Sequence, residues 1–334
     1  MIDLNSGPIE LKLFTPGTNW MKVGSMLAID FVGYFGKLPK GSYVSVHTGH
    51  PGRSALASPD LINAGKYHIG ITSPTWILNT CNEGRGAFGL GEKPTRLRTI
   101  GTLPHRDMVV LAVRKDLGIT SLRQLIEQRY PLRFSTSPIH LDHPLGWLFD
   151  LLFAEYGIAI EDFEKWGGAV IYGDRQPNFM EKVPEGTRDR VSAMQTGHLD
   201  AVFDEAIMTR AWQVIADSVE LNYLPIDRDV LQALENKHGV RATVIPKGRL
   251  RGVNEDIPTV EFGGWTIFCR EDLPDRLAYL TLECLERQTA QIQGMLVPEQ
   301  GLTGKIDLSI MWQAPGAPLH PGAARYYREK GYMK

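Results

Sequence analysis

The segment RFSTSPIHLDHPLGW, residues 133–147, passes from a short strand through a Ser/Thr/Pro/His/Asp loop into the start of an amphipathic helix. Ser135, Thr136 and Ser137 place three small hydroxyl side chains in that loop. Asp142 is the expected helix cap, and Pro144 suits the first turn. Beyond it the apolar residues Leu145, Leu148, Phe149, Leu152 and Phe153 recur at helical spacing. A polar loop feeding a helix amino terminus offers backbone N–H groups and the positive end of the helix dipole, which suits a carboxylate or another anion. His140 and His143 add two imidazoles to the same loop. The competing reading is helix capping with surface histidines.

The pattern repeats outward from this segment. Ile9–Phe14 reads as a strand that ends at Pro16 and Gly17, and a helical period follows over Val23–Phe35. Tyr43–His47 alternates as a strand and leads into Thr48, Gly49, His50, Pro51, Gly52 and Arg53, with a helix over Leu56–Ala64. His68–Ile71 reads as a buried strand running into Thr72, Ser73, Pro74 and Thr75. A strand, a polar Gly/Pro loop and a helix in repeated succession predict an open α/β sheet with ligand-contacting loops at the carboxyl ends of its strands. The apolar run Met108–Val113 follows Pro104 and is a candidate crossing into a second domain. Strands are expected over Trp166–Tyr172, Asp200–Phe203 and Val219–Leu224. Helices are expected over Thr120–Gln128, Val191–Thr196, Met208–Asp217 and Asp229–Lys237. The chain closes with strands over Ala242–Pro246 and Val260–Cys269 and helices over Leu277–Gln291 and Leu319–Gly331.

A length of 334 residues suggests about two domains, each long enough to bury a core. Apolar residues make up 43% and charged residues 22%, ordinary values for a globular protein, and the net charge of -2 gives no sign of a nucleic-acid or anionic-membrane partner. Cys81, Cys269 and Cys284 are odd in number and form neither a metal-ligand spacing nor a disulfide framework. No run approaches the ~18–20 apolar residues of a membrane helix. The opening MIDLNSGPIELKLF has no basic start or apolar core of a signal peptide, so the expectation is either a periplasmic protein whose signal was removed or a cytoplasmic one.

The frames QTGHLDAVFDEA (195–206), VELNYLPID (219–227), ATVIPKGRLRGVNEDIPTV (242–260) and LHPGAARYYREKGY (319–332), in this order, resemble the TAXI family, the solute receptors of one branch of the TRAP transporters. The resemblance runs over most of the chain. It implies an α/β, two-lobed type 2 periplasmic-binding-protein-like fold with a ligand cleft between lobes. Lobe one would be 1–105 plus 226–334, and lobe two 106–225. The implied ligand is a small organic acid, and the implied partner is a TRAP membrane permease. Carried over by position, the ligand loops fall on Pro16, Gly17, Thr18 and Asn19; on Thr48, Gly49 and Arg53; on Thr72 and Ser73; and on Ser135, Thr136 and Ser137. The sequence departs from the family where SPIHLDHP replaces a Gly/Ser-rich loop, and where Asp204 and Glu205 follow the Asp-Ala motif.

These departures open a second reading. His47, His50, His140 and His143 form two H-x-x-H pairs in strand-to-helix loops. With Asp142, Asp204 or Glu205 they would suit a divalent transition metal, against the reading of ordinary hydrogen-bonding histidines. On that reading the protein is a metal-assisted decarboxylase of an aromatic carboxylic acid, the metal absorbing developing negative charge. As a receptor it needs no cofactor. Arg53 is either a carboxylate clamp or a surface ion-pair partner. Asp204 and Glu205 are metal ligands, a seat for a ligand ammonium, or caps of the following helix, and His140 and Glu205 are both candidate ligand-binding residues. Trp20 and Trp76 either wall the ligand or pack the core. Trp147, Trp212 and Trp265 are expected in the core, and His105 is expected to be structural.

Overall fold

The computed structural model describes residues 7–17, 19–33, 38–84, 96–137, 143–172, 190–206, 209–296, 304–313 and 315–334. The chain divides into two compact units, Met1–Arg106 with Gly263–Lys334, and Asp107–Phe262.

In unit 1 the strands are β1 (Glu10–Pro16), β2 (Tyr43–Gly49), β3 (Ile69–Thr72) and β4 (Leu97–Leu103), interleaved with helices α1 (Asn19–Gly33), α2 (Pro51–Asn63) and α3 (Trp76–Asn82). Unit 2 opens with β5 (Val109–Arg114) and α4 (Leu122–Glu127), then β6 (Arg133–Thr136), α5 (Pro144–Glu155), α6 (Asp162–Lys165) and β7 (Ala169–Tyr172). It continues with α7 (Arg190–Thr196), β8 (Ala201–Glu205), α8 (Thr209–Ser218), β9 (Leu221–Tyr223) and α9 (Arg228–His238), and ends in the antiparallel pair β10 (Ala242–Ile245) and β11 (Ile257–Val260). The chain returns to unit 1 with β12 (Trp265–Arg270), α10 (Asp275–Met295) and α11 (Pro321–Glu329).

The strand orders are β2-β1-β3-β12-β4 in unit 1 and β7-β6-β8-β5-β9 in unit 2. In each sheet the one antiparallel strand, β12 or β5, is the first strand after the chain changes unit. The two sheets therefore have the same topology, and this is the α/β arrangement of a type 2 periplasmic-binding-protein-like fold. The crossing segments bond to each other, Gly264 N–H to the His105 carbonyl and Phe262 N–H to the Asp107 carbonyl, both at 2.8 Å.

The return to unit 1, expected at 226, is at 263. Residues 226–262 are held in unit 2 by specific bonds. Tyr156 Oη donates to Asp227 (2.8 Å), Lys237 Nζ to Glu155 (2.7 Å) and Thr259 Oγ1 to the Val109 carbonyl (2.8 Å). The apolar run 260–269, expected as one strand, is cut between β11 and β12 at Gly263-Gly264. Gly264 has φ +80, and a Cβ there would lie 1.9 Å from Thr75 Oγ1.

Each sheet is buried against helices. In unit 1, Leu11 and Leu13 of β1 and Ile267 and Cys269 of β12 share a core with Val23, Leu27 and Phe31 of α1 and Leu277 and Leu285 of α10. In unit 2, Phe134 meets Phe163 and Phe203 at ring separations of 5.1 and 4.7 Å. Each fully buried ring or aliphatic side chain contributes about 1.5–3 kcal/mol. No helix among the described residues is long and apolar enough to cross a membrane.

Candidate functional site

At the carboxyl ends of β6 and β8 the sequence places three hydroxyls beside two acids. Asp204 and Arg190 are both buried and form an ion pair. A buried carboxylate in an apolar strand requires such a partner, since an unpaired one is strongly disfavoured. The guanidinium also donates from Nε to Ser135 Oγ (2.6 Å) and from Nη2 to the Thr136 carbonyl (2.7 Å). Asp204 Oδ1 accepts from Ser137 Oγ (3.1 Å) and from the Glu205 N–H (2.7 Å). The result is a clamp across two strands that fixes the 135–137 backbone. Between Ser135 and Ser137, Thr136 Oγ1 is buried with no hydrogen-bond partner among the described residues.

Asp204 and Glu205 were expected in a loop after the strand. They are its last two residues, with Glu205 opposite Val109 and Asp204 opposite Val110 in the ladder. Asp204 is the counter-ion of Arg190. Glu205 is buried, and its carbonyl accepts from Trp212 Nε1 at 3.0 Å. The cap of α5 is His143, whose Nδ1 accepts from the Leu145 N–H at 3.2 Å and whose ring stacks on Phe262. His140 and Asp142 lie outside the described residues.

At the corresponding end of the unit 1 sheet, Thr72 and Ser73 are both buried, and the Thr72 hydroxyl donates to the Ala55 carbonyl at 2.7 Å, tying β3 to α2. Asn19 opens α1, and its Oδ1 accepts from Lys22 Nζ at 3.0 Å; Thr18 lies outside the described residues. Thr48 is exposed near the end of the edge strand β2. A Cβ at Gly49 would meet Ser54 Oγ at 2.2 Å, so the absence of a side chain there lets α2 start against the strand end. Arg53, expected in the loop, is an exposed residue of the first turn of α2. His47 is an exposed strand residue, with Nε2 3.3 Å from Ser45 Oγ and its ring edge-on to Tyr67. His50 is the exposed residue preceding α2. Among the described residues, no three His, Cys, Asp or Glu side chains are placed to hold a metal ion.

Trp76, Trp147, Trp212 and Trp265 are buried, and Trp20 is partly buried against the unit 1 core. Burial lowers the His105 imidazole to about 3, and its ring stacks on Trp265 at 4.9 Å.

Sequence reasoning missed Arg190. Two signals pointed to it. Arg190 lies four residues before Met194, on the buried stripe of α7, and Asp204 directly follows the apolar residues Ala201–Phe203 in β8.

Residues 171–331, just under half of the chain, match the NMT1-like family. Among solved structures the chain is similar to the periplasmic binding protein BugD, with 12% identity, 96% of this chain and 94% of that one covered, and a TM-score of 0.45. It is also similar to a TctC solute binding protein from Polaromonas, with 15% identity, coverage of 97% and 98%, and a TM-score of 0.48. A third likeness is to the periplasmic aliphatic sulphonate binding protein SsuA from Escherichia coli, with 14% identity, coverage of 98% and 77%, and a TM-score of 0.35. These likenesses concern fold alone.

Proposed function

We propose that the protein is a solute-binding protein that captures a small organic acid in the periplasm and delivers it to a TRAP-type membrane permease. The observation that carries this reading is the clamped 135–137 segment. Its backbone is fixed by Arg190 and Asp204, and the buried Thr136 hydroxyl has no partner among the described residues. Arg190 and Asp204 neutralise each other, so recognition at this edge rests on neutral donors in a fixed arrangement. Such donors are worth more to an anion in a water-excluded site than in water. Thr72, Ser73, Thr48, Asn19 and Arg53 are the ligand-facing candidates of unit 1, on the TAXI resemblance.

Isothermal titration against small monocarboxylic, dicarboxylic and amino acids tests the proposal. One class should bind, and Thr136→Val should weaken that binding roughly tenfold, the equivalent of one buried hydrogen bond of about 1.4 kcal/mol. Failure of every acid to bind, or wild-type affinity in Thr136→Val, would overturn it.

A further inference from the structure

The carboxyl end of the unit 1 sheet holds a group of nitrogens that the solute-binding reading does not use. The Trp20 and Trp265 rings lie 5.4 Å apart, and the His105 ring stacks on Trp265 at 4.9 Å and 28°. Trp265 is 1% exposed and His105 5%. The indole N–H of Trp20, the indole N–H of Trp265 and both ring nitrogens of His105 are buried with no hydrogen-bond partner among the described residues. Buried polar groups in native proteins are almost always partnered, and leaving one unpaired costs stability, so nitrogens left bare on three neighbouring rings call for a hydrogen-bonding partner.

Their chemistry limits what that partner is. An indole N–H only donates, and a neutral imidazole offers one donor and one acceptor. The group is therefore rich in donors and carries no charge. Trp20 also belongs to the first turn of α1, a 15-residue helix with no acidic residue in that turn. Trp20 thus brings the positive dipole end of α1 to the same rings, with no carboxylate in that turn. Trp20 is partly buried as a residue, while its indole nitrogen is covered.

We infer that Trp20, Trp265, His105 and the amino end of α1 form an oxyanion subsite that takes a carboxylate group through neutral hydrogen bonds, without an arginine or lysine. The assignment rests on the organic-acid reading above and adds to it the place in unit 1 where one carboxylate is held. It also gives Trp265 and His105 a role beyond core packing.

The experiment uses the full chain labelled with 15N at its indoles and sodium formate as the probe. Phe replacements at Trp20 and Trp265 keep a ring in place, remove one donor each and identify the two indole N–H signals. The remaining indole signals report that the fold is intact. The expected result is a saturable downfield movement of the Trp20 and Trp265 signals with formate, weakened at least tenfold in His105→Leu and in each Phe variant for the signal that remains. Formate leaving both signals in place would overturn the subsite. The organic acid found by titration separates the two claims. An acid that binds wild type, Trp20→Phe and Trp265→Phe equally sinks the subsite and leaves the solute-binding reading standing. A saturable formate response in a protein that binds no larger acid supports the subsite and sinks the solute-binding reading.

Discussion

The two sheets share one strand order yet finish their carboxyl ends in opposite ways. Unit 2 buries a full ion pair, Arg190 with Asp204, and surrounds it with hydroxyls and carbonyls that satisfy it. Unit 1 puts aromatic rings at the same place, with neutral nitrogens and no ion pair among Trp20, His105 and Trp265. The contrast shows that topology decides where a polar edge lies, while side chains decide whether it is held by charge or by neutral donors. A second comparison lies within unit 2. Arg133 and Asp200 pair at the opposite end of the same strands, but there the arginine is 46% exposed.

The largest effect is expected from Arg190→Met, which leaves Asp204 buried without its partner and should cost about 3–5 kcal/mol in urea unfolding. The double replacement Arg190→Met with Asp204→Leu should recover most of that loss, whereas Arg133→Met, which takes a half-exposed guanidinium from the buried Asp200, should cost less, on the order of 1–2 kcal/mol. Equal losses at Arg190 and Arg133 would remove the distinction between the buried and exposed ends.

Unit 1 should reveal itself through pH. An imidazole in the unfolded chain titrates near ~6.5, and burial lowers His105 to about 3. As pH falls, the unfolded chain takes up this proton first. The stability contribution is therefore intact above ~6.5 and is lost progressively toward pH 3, at up to about 1.4 kcal/mol per pH unit. His105→Leu should flatten the wild-type pH dependence by that slope between pH 6 and 4, as followed by urea unfolding. Burial also lowers His68 and His320, and those contributions cancel in the difference between wild type and variant.

The smallest effect concerns a device the units share. His143 in unit 2 and His320 in unit 1 each precede a proline at the start of a helix, and each accepts the N–H two residues on through Nδ1, at 3.2 Å in both. Replacement by Ala should cost about 1 kcal/mol in thermal unfolding, and replacement by Asn should restore part of it. Loss of the acceptor at His320 without any change in stability would show that Pro321 alone fixes that helix start.

The periodic elements were legible in the sequence. The strand, polar loop and helix succession over 9–75 and the apolar crossing strand at 108–113 correspond to β1, β2, β3 and β5 with their helices. Alternation and helical spacing report burial directly, which is why they were readable. The return crossing was misplaced because its determinants are pairs distant in sequence, such as Lys237 with Glu155 and Thr259 with Val109. The site was half legible. Hydroxyls in a loop announce themselves, but Arg190 gains its meaning only from Asp204, and the two meet through the fold. The histidines show the converse. Two H-x-x-H pairs read as ligands, while in the structure His143 caps a helix and His47 lies along a strand beside Ser45.

Native mass spectrometry of untagged protein, with metal analysis of the same sample, tests the central claim most directly. The account predicts one small organic acid bound per chain, present in wild type and depleted in Thr136→Val. A chain that carries no acid but holds a stoichiometric transition metal, lost on replacing His47 or His140, would contradict it.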